Sequence, residues 1–449
     1  MTSLGAENVV SSSPLCQWFK GLHDKLSSNL TEVASEAKKL GQEDPRRIIH
    51  SLKVGLAICL VSLLYYFDPL YEGFGISAIW AVITVVVVFE FTVGATIGRC
   101  LNRGLATFVG GGLGIGAHRI ASFSGEKCEP MVLGLFVFLL AAMVTFVRFF
   151  TKMKARYDYG LLILILTFCL ICVSGYRDDE VLDMARTRLS TILIGAATSL
   201  TVCFCIRPVW AGHNLHNLVA SNLEKLGKSL EGFGDEATDD DRSIPKGYKD
   251  VLRSKNTEES LANFAKWEPR HGRFRYRHPW DQYLKIGDLS RECARRIEVL
   301  GAIFNSDIQS EATSPEFAGR FKEAFTTMST ACSHVLKELS RAITTMTWPS
   351  SPTCHVGNLE TAAGNLKSFL QTDSCPHTQN VKITPLAATL AFLLLDAVVY
   401  TEKIAKSVAE LASEAKFKKA QLKDAVTREK RGSHVDVRVD STPSHGPGE

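Results

Sequence analysis

The chain has 449 residues, 46% of them hydrophobic, and a formal net charge of +4. That length accommodates two units of ordinary domain size, and a charge this small names no partner by itself. The average hides an asymmetry: nearly all the long apolar runs lie between about Lys53 and Ile206, whereas residues 207–449 read as a charged helical protein.

The 12 cysteines do not read as a disulfide framework. Cys59, Cys169, Cys172, Cys203 and Cys205 lie inside apolar runs, where a thiol behaves as a small hydrophobe. Cys293, Cys332, Cys354 and Cys375 are widely and irregularly spaced in the polar half, which suits a reducing cytosol. Residues 1–50 lack an apolar core followed by a small-residue cleavage site, so no signal peptide is expected. Pro14 to Leu40 reads instead as a polar, partly amphipathic helix, with Trp18, Phe19, Leu22 and Leu26 at helical spacing.

A helix needs about 20 apolar residues to cross the hydrocarbon core. Six candidate spans follow, at roughly 48–67, 76–92, 103–121, 130–149, 159–176 and 186–206. One short run would fit a buried helix of a soluble protein, but six joined by short polar links point to a polytopic membrane protein. With the N-terminus inside, ten Lys and Arg flank the inner ends, among them Arg46, Arg47, Lys152, Lys154 and Arg207, against five at the outer ends. This bias predicts a cytosolic N-terminus. An even number of spans then puts the second half in the cytosol as well. The sequon Asn29-Leu30-Thr31 falls inside and is expected to stay unmodified.

In the third span, Gly112, Gly114 and Ala117 match a relaxed dinucleotide fingerprint, but no strand precedes them. The pairs Gly110/Gly114 and Gly112/Gly116 predict close helix approach instead. No Walker-type loop occurs, so nothing supports ATP-driven transport.

Transport chemistry is read from charges that a bilayer tolerates poorly. An Arg at the bilayer centre costs about 2.5–3.5 kcal/mol on insertion scales, so it faces a partner, water or a substrate. The candidates are Lys53 at the start of span one, Arg99 and Arg103 between spans two and three, Arg148 closing span four, Arg156 before span five, and Arg188 opening span six with Arg186. They either line an aqueous path that attracts anions or snorkel to the headgroups as interface anchors. Arg103, Arg148 and Arg188 abut apolar sequence most closely and favour the path. Glu90 and Asp158, near the inner ends of spans two and five, are expected to pair with these arginines.

The external loops are acidic. Asp68 and Glu72 lie in the first; Asp178, Asp179, Glu180 and Asp183 lie in the third. They form either a solvated rim or a set of hard oxygen ligands for a cation.

After Arg207-Pro208-Val209-Trp210, helical patterns run at about 213–232, 256–266, 280–306, 315–346, 358–371 and 384–420. Pro385 to Tyr400 is apolar, but Asp396 lies within it, so a bundle helix is preferred to a seventh span. Phe264 to Trp280 interleaves basic and aromatic residues. His271 and His278 lack further metal ligands at suitable spacing, and the segment reads as structural rather than as a nucleic-acid or metal site. No nucleophile–base constellation is found, so an enzyme is not expected. The tail after Lys416 is basic to about Arg431, then rich in Ser, Pro and Gly, and is expected to be disordered.

Several motifs occur in a recognisable order: Glu43-Asp44-Pro45-Arg46-Arg47; Trp80-Ala81-Val82 through Glu90; Val93-Gly94-Ala95-Thr96; Leu101-Asn102-Arg103-Gly104; Tyr157-Asp158-Tyr159-Gly160; Pro208-Val209-Trp210-Ala211-Gly212; and Trp267-Glu268-Pro269 to His278-Pro279-Trp280. Over about residues 41–420 the chain resembles the plant aluminium-activated malate transporters. The resemblance implies a passive channel for malate and related anions, a homodimer, and a helical cytosolic domain. It implies Arg103, Arg148 and Arg188 as pore residues; Lys53, Arg99 and Arg156 are further candidates by their position alone, where the anchor reading is the stronger. It also implies Asp68, Glu72, Asp179, Glu180 and Asp183 as a site for Al3+, an activating ligand rather than a cofactor. The tail resembles plasma-membrane members more than vacuolar ones.

The expectation is therefore an all-α membrane protein: a cytosolic segment 1–47, a six-helix channel domain 48–207, a cytosolic helical domain 208–420 and a disordered tail 421–449. A proton-coupled organic-acid transporter is the alternative, and membrane lipid and anions are the expected partners, with no nucleic acid.

Overall fold

A computed structural model describes residues 14–67, 75–125, 127–174, 181–233, 246–274, 278–305, 315–348, 353–372 and 385–419. The chain divides into two units, Met1–Val209 and Trp210–Glu449.

The first unit opens with α1 (Pro14–Glu43) and α2 (Pro45–Tyr66). Asp44 separates them: its carboxylate accepts a hydrogen bond from the Arg46 backbone amide at 3.1 Å, and Pro45 fits the first helical position. There follow α3 (Ile79–Val88), α4 (Val93–Ser122), α5 (Glu129–Val147), α6 (Thr151–Ser174) and α7 (Val181–Cys205). Among the described residues four stretches are long and apolar enough to cross a bilayer: Pro45–Tyr66, Glu129–Val147, Arg156–Val173 and Ala185–Cys205. Leu135, Phe138, Leu139, Met143 and Phe146 on α5 are all exposed, as suits a helix surrounded by hydrocarbon.

The expected spans two and three take a different form. The segment expected over 76–92 is a 3-10 turn, Gly75–Ala78, followed by the ten-residue α3. Ten helical residues rise only about 15 Å, half the hydrocarbon thickness of about 30 Å. α4 begins at Val93, ten residues before the expected start, and runs for 30 residues. Arg99 and Arg103, expected between two spans, both lie inside this helix.

Small residues let the helices close. A Cβ on Gly110 would stand 2.9 Å from the Leu164 carbonyl oxygen, and one on Gly114 would stand 2.9 Å from Ile171 Cγ2. Gly195 allows α7 to meet α3 in the same way, with Ala81 O 2.6 Å from where a Cβ would sit. Along the α4–α6 contact, Asn102 meets Arg156, Gly110 meets Leu164 and Gly114 meets Ile171. The register climbs together, so α4 and α6 run parallel.

The second unit contains α8 (Ala211–Glu231), α9 (Gly247–Arg253), α10 (Lys255–Ala265), α11 (Trp280–Asn305), α12 (Pro315–Thr345), α13 (Thr353–Thr372) and α14 (Pro385–Glu414). The short α9 was not expected from the sequence. α8 packs on α12, and α11 on α14, around a core that includes Leu215, Leu223, Ile286, Ile297, Leu336 and Leu394. Leu390, Ala391, Leu394 and Val398 bury one face of α14, while Asp396 meets Arg296 at 2.7 Å, which is the behaviour of a bundle helix. A two-residue parallel pairing, β1 (Thr347–Trp348) with β2 (Lys418–Lys419), ties the end of α12 to the end of α14.

One buried charge pair organises this bundle. Glu258, fully buried, accepts from Asn222 Nδ2 at 2.9 Å, Ser254 Oγ at 2.7 Å and Arg291 Nη1 at 2.5 Å. Gly287 leaves room for it, since a Cβ there would lie 2.0 Å from Glu258 Oε2.

Candidate functional site

The break between α3 and α4 is closed by side chains. The Thr92 hydroxyl caps α4 by accepting from the Ala95 amide at 3.3 Å. Thr96 Oγ1 accepts from the Glu90 amide at 3.1 Å. Arg99 reaches back from α4, donating to the Val87 carbonyl at 3.0 Å and pairing with Glu90 at 2.6 Å. A cation on the last carbonyls of a helix complements its dipole. The Val93 amide donates to the Val209 carbonyl at 2.9 Å, and buried Lys53 donates to the Arg207 carbonyl at 2.9 Å, so α2, α4 and the segment after α7 meet here.

The remaining basic candidates differ in how their charge is met. Arg148, at the end of α5, pairs with Asp158 of α6 at 2.7 Å. Glu90 and Asp158 thus both pair with arginines. Arg156 lies over the Tyr157 ring at 5.6 Å, and its carbonyl accepts from Asn102 Nδ2 at 3.2 Å.

Arg103 and Arg188 have no carboxylate partner among the described residues. Arg103 is 4% exposed; its Nη1 donates to Tyr159 Oη at 3.0 Å, and its Nε has no hydrogen-bond partner. Arg188 stands over the indole of Trp80 at 4.0 Å, a contact that holds a cation without neutralising it. Each thus carries a positive charge with no described carboxylate beside it.

Asp68, Glu72, Asp179 and Glu180 lie outside the described residues. Asp183 falls in the first turn of α7, with its side chain likewise outside them. Among the described residues no three His, Cys, Asp or Glu side chains gather in a metal-binding group.

The family model described as "Aluminium activated malate transporter" matches residues 38–383. The chain belongs to that family. Aluminum-activated malate transporter 2 of Arabidopsis thaliana is 50% identical over 398 residues, covering 86% of this chain and 79% of that protein. Aluminum-activated malate transporter 7 of the same plant is 44% identical, covering 92% and 88%. Aluminum-activated malate transporter 1 of Triticum aestivum is 43% identical, covering 88% and 89%. This aluminium-activated malate transporter family member is accordingly a membrane protein of a transporter family.

The motifs that carry the resemblance meet one another in space. Leu101-Asn102-Arg103-Gly104 packs on Tyr157-Asp158-Tyr159-Gly160, through Asn102 to Arg156 and Arg103 to Tyr159, and a Cβ on Gly160 would stand 3.4 Å from the Asn102 Cβ. In the second unit, the Glu268 carboxylate caps α8, accepting from the Ala211 amide at 2.6 Å and the Gly212 amide at 3.0 Å. Trp210 stacks on His271 at 3.9 Å, and a Cβ on Gly212 would strike the Trp280 ring at 2.4 Å. The histidines of the basic aromatic segment are thus used in packing. His278 Nε2 lies 3.2 Å and His216 Nδ1 2.9 Å from Tyr283 Oη, and burial pushes both imidazoles down to about 4. Trp80 and Tyr159, which position the two arginines, belong to the motifs that carry the resemblance, but nothing in the sequence alone singles them out. Their signal is an aromatic on the helix that faces each arginine.

Proposed function

We propose that this family member is a passive channel for malate and related anions. Arg103 and Arg188 supply the attraction, and Lys53, Arg99, Arg148 and Arg156 hold the helices that present them. A buried guanidinium without a counter-charge is costly, and a mobile anion in a wet path removes that cost while it passes. Binding stays weak enough for exit because each anion is exchanged for the next. The observation that carries the reading is the contrast within the first unit: Arg99 and Arg148 have carboxylates, while Arg103 and Arg188 do not, among the described residues.

In this reading α3 and α4 complete a six-crossing domain whose N-terminus and second unit face the cytosol, and two copies assemble as a homodimer. External Al3+ activates it through Asp68, Glu72, Asp179, Glu180 and Asp183, whose carboxylates are the hard donors such an ion takes. Patch-clamp of the expressed chain tests the channel. The current should reverse at the malate Nernst potential whatever the proton gradient; reversal that follows the proton gradient would establish a coupled transporter instead.

A further inference from the structure

Among the described residues the hydroxyl of Thr107 has no hydrogen-bond partner, although the side chain is only 4% exposed. This is unusual within the first unit. Thr84, Thr191, Thr198 and Thr201 each turn their hydroxyl back to the carbonyl one turn earlier, at 2.7 to 3.0 Å. That bond is the usual refuge of a helical hydroxyl away from water, and Thr107 forgoes it.

One turn before Thr107, on the same face of α4, lies Arg103. Tyr159 takes its Nη1 at 3.0 Å. That fixes the guanidinium and leaves Nε on the opposite edge, also buried without a partner. The Nε–Nη2 edge of a guanidinium is one of those that grip a carboxylate with two parallel bonds. Arg103 Nε, on an edge that can grip a carboxylate, and the Thr107 hydroxyl, which can both donate and accept, are thus two unpartnered polar atoms one turn apart on one face of α4.

We propose that Arg103 and Thr107 form a binding step for 2-hydroxy carboxylates, in which Arg103 holds the carboxylate and Thr107 reads the hydroxyl on the neighbouring carbon. The step rests on the anion-channel reading and makes Thr107 the residue that determines specificity. A site with a hydrogen-bonding group aimed at a substrate hydroxyl discriminates against the analogue lacking it, because the group is then left unpaired.

Malate and succinate carry the same charge and differ by one hydroxyl, so their permeability ratio reads this step alone. The full chain in a voltage-clamped membrane should pass malate in preference to succinate by roughly fivefold, the effect of one net hydrogen bond. Thr107→Val should bring that ratio close to one, and Thr107→Ser should keep it. Valine matches the shape, and the hydroxyl it removes makes no internal bond, so folding is not at stake. A wild-type ratio near one, or a Thr107→Val channel that keeps its preference, overturns the proposal while leaving the channel intact. If the wild type passes no anion current, the channel reading fails by itself. The melting of the purified chain with malate or succinate then decides: greater stabilisation by malate, lost in Thr107→Val, supports the site, and equal stabilisation overturns it.

Discussion

Arg148 and Asp158 clasp the turn between α5 and α6, with Nε of one 2.7 Å from Oδ1 of the other. Arg148→Glu would set two carboxylates against each other at this turn. Surface protein and malate current should fall together, and the exchange Arg148→Asp with Asp158→Arg should recover surface protein, measured by surface biotinylation beside the current. Failure of the exchange to recover it would mean that Arg148 serves something other than the clasp.

Arg188 has a different dependence. Its charge is held by Trp80 and by no described carboxylate. Arg188→Glu should leave surface protein intact and lower malate current by roughly tenfold or more, which a change of about 1.4 kcal/mol produces. Trp80→Phe, which keeps an aromatic face, should retain more current than Trp80→Leu.

Gly195 lies where a Cβ would stand 2.6 Å from the Ala81 carbonyl oxygen. Gly195→Val should destabilise by about 1–3 kcal/mol through overpacking, read as a lower melting temperature in detergent. Gly112→Ala, with open space around its position, should leave the melting temperature unchanged.

Removing one partner of the buried pair in the second unit should be more damaging. Glu258→Gln removes the buried counter-charge of Arg291 and leaves it only the exposed Asp288 carboxylate at 2.6 Å, at a cost of about 3 kcal/mol. The melting temperature of the purified chain should drop by several degrees, and one equal to wild type would show that the pair adds nothing to stability.

Stability should also depend on pH through His216 and His278. Burial holds both near 4 in the folded chain, against 6.5 for the ordinary group. The unfolded chain therefore takes up these protons first as the pH falls. Their contribution is full above about pH 6.5 and is lost between pH 6.5 and about 4. Melting should decline across that window, and His278→Gln should flatten the decline.

The carboxylates proposed to bind Al3+ give a separate test. Glu180→Gln with Asp183→Asn should abolish activation by external Al3+ while leaving any current present without the ion. Retained activation would remove these two residues from the cation site.

Periodicity and hydropathy made most of the helices legible, because long apolar runs and caps such as Asp44 are local properties of the chain. The two units divide after Val209, close to the change in composition at Arg207. The brevity of α3 was not legible in this way. Phe89, Glu90 and Phe91 continue an apolar pattern, and what ends the helix is a set of distant contacts: Arg99 on the Val87 carbonyl and Val93 on Val209. The basic residues could likewise be listed, and Glu90 and Asp158 expected to pair with some of them, but which arginine each would take could not be read. Whether an arginine is neutralised depends on a carboxylate that folding brings near, ten residues away for Arg148 and Asp158. The pairing of Thr107 with Arg103 stayed hidden because a lone threonine in a helix carries no signal until its hydroxyl is seen to decline its own backbone.

Glu268 fastens the amides of Ala211 and Gly212 from 57 and 56 residues further along the chain. A ribosome that has just released the last apolar helix has yet to make this clasp. The start of α8 therefore waits, its first amides served by water, until synthesis has moved well past position 268. Premature termination before that codon would leave every hydrophobic helix of the first unit in place and the second unit without its fastening.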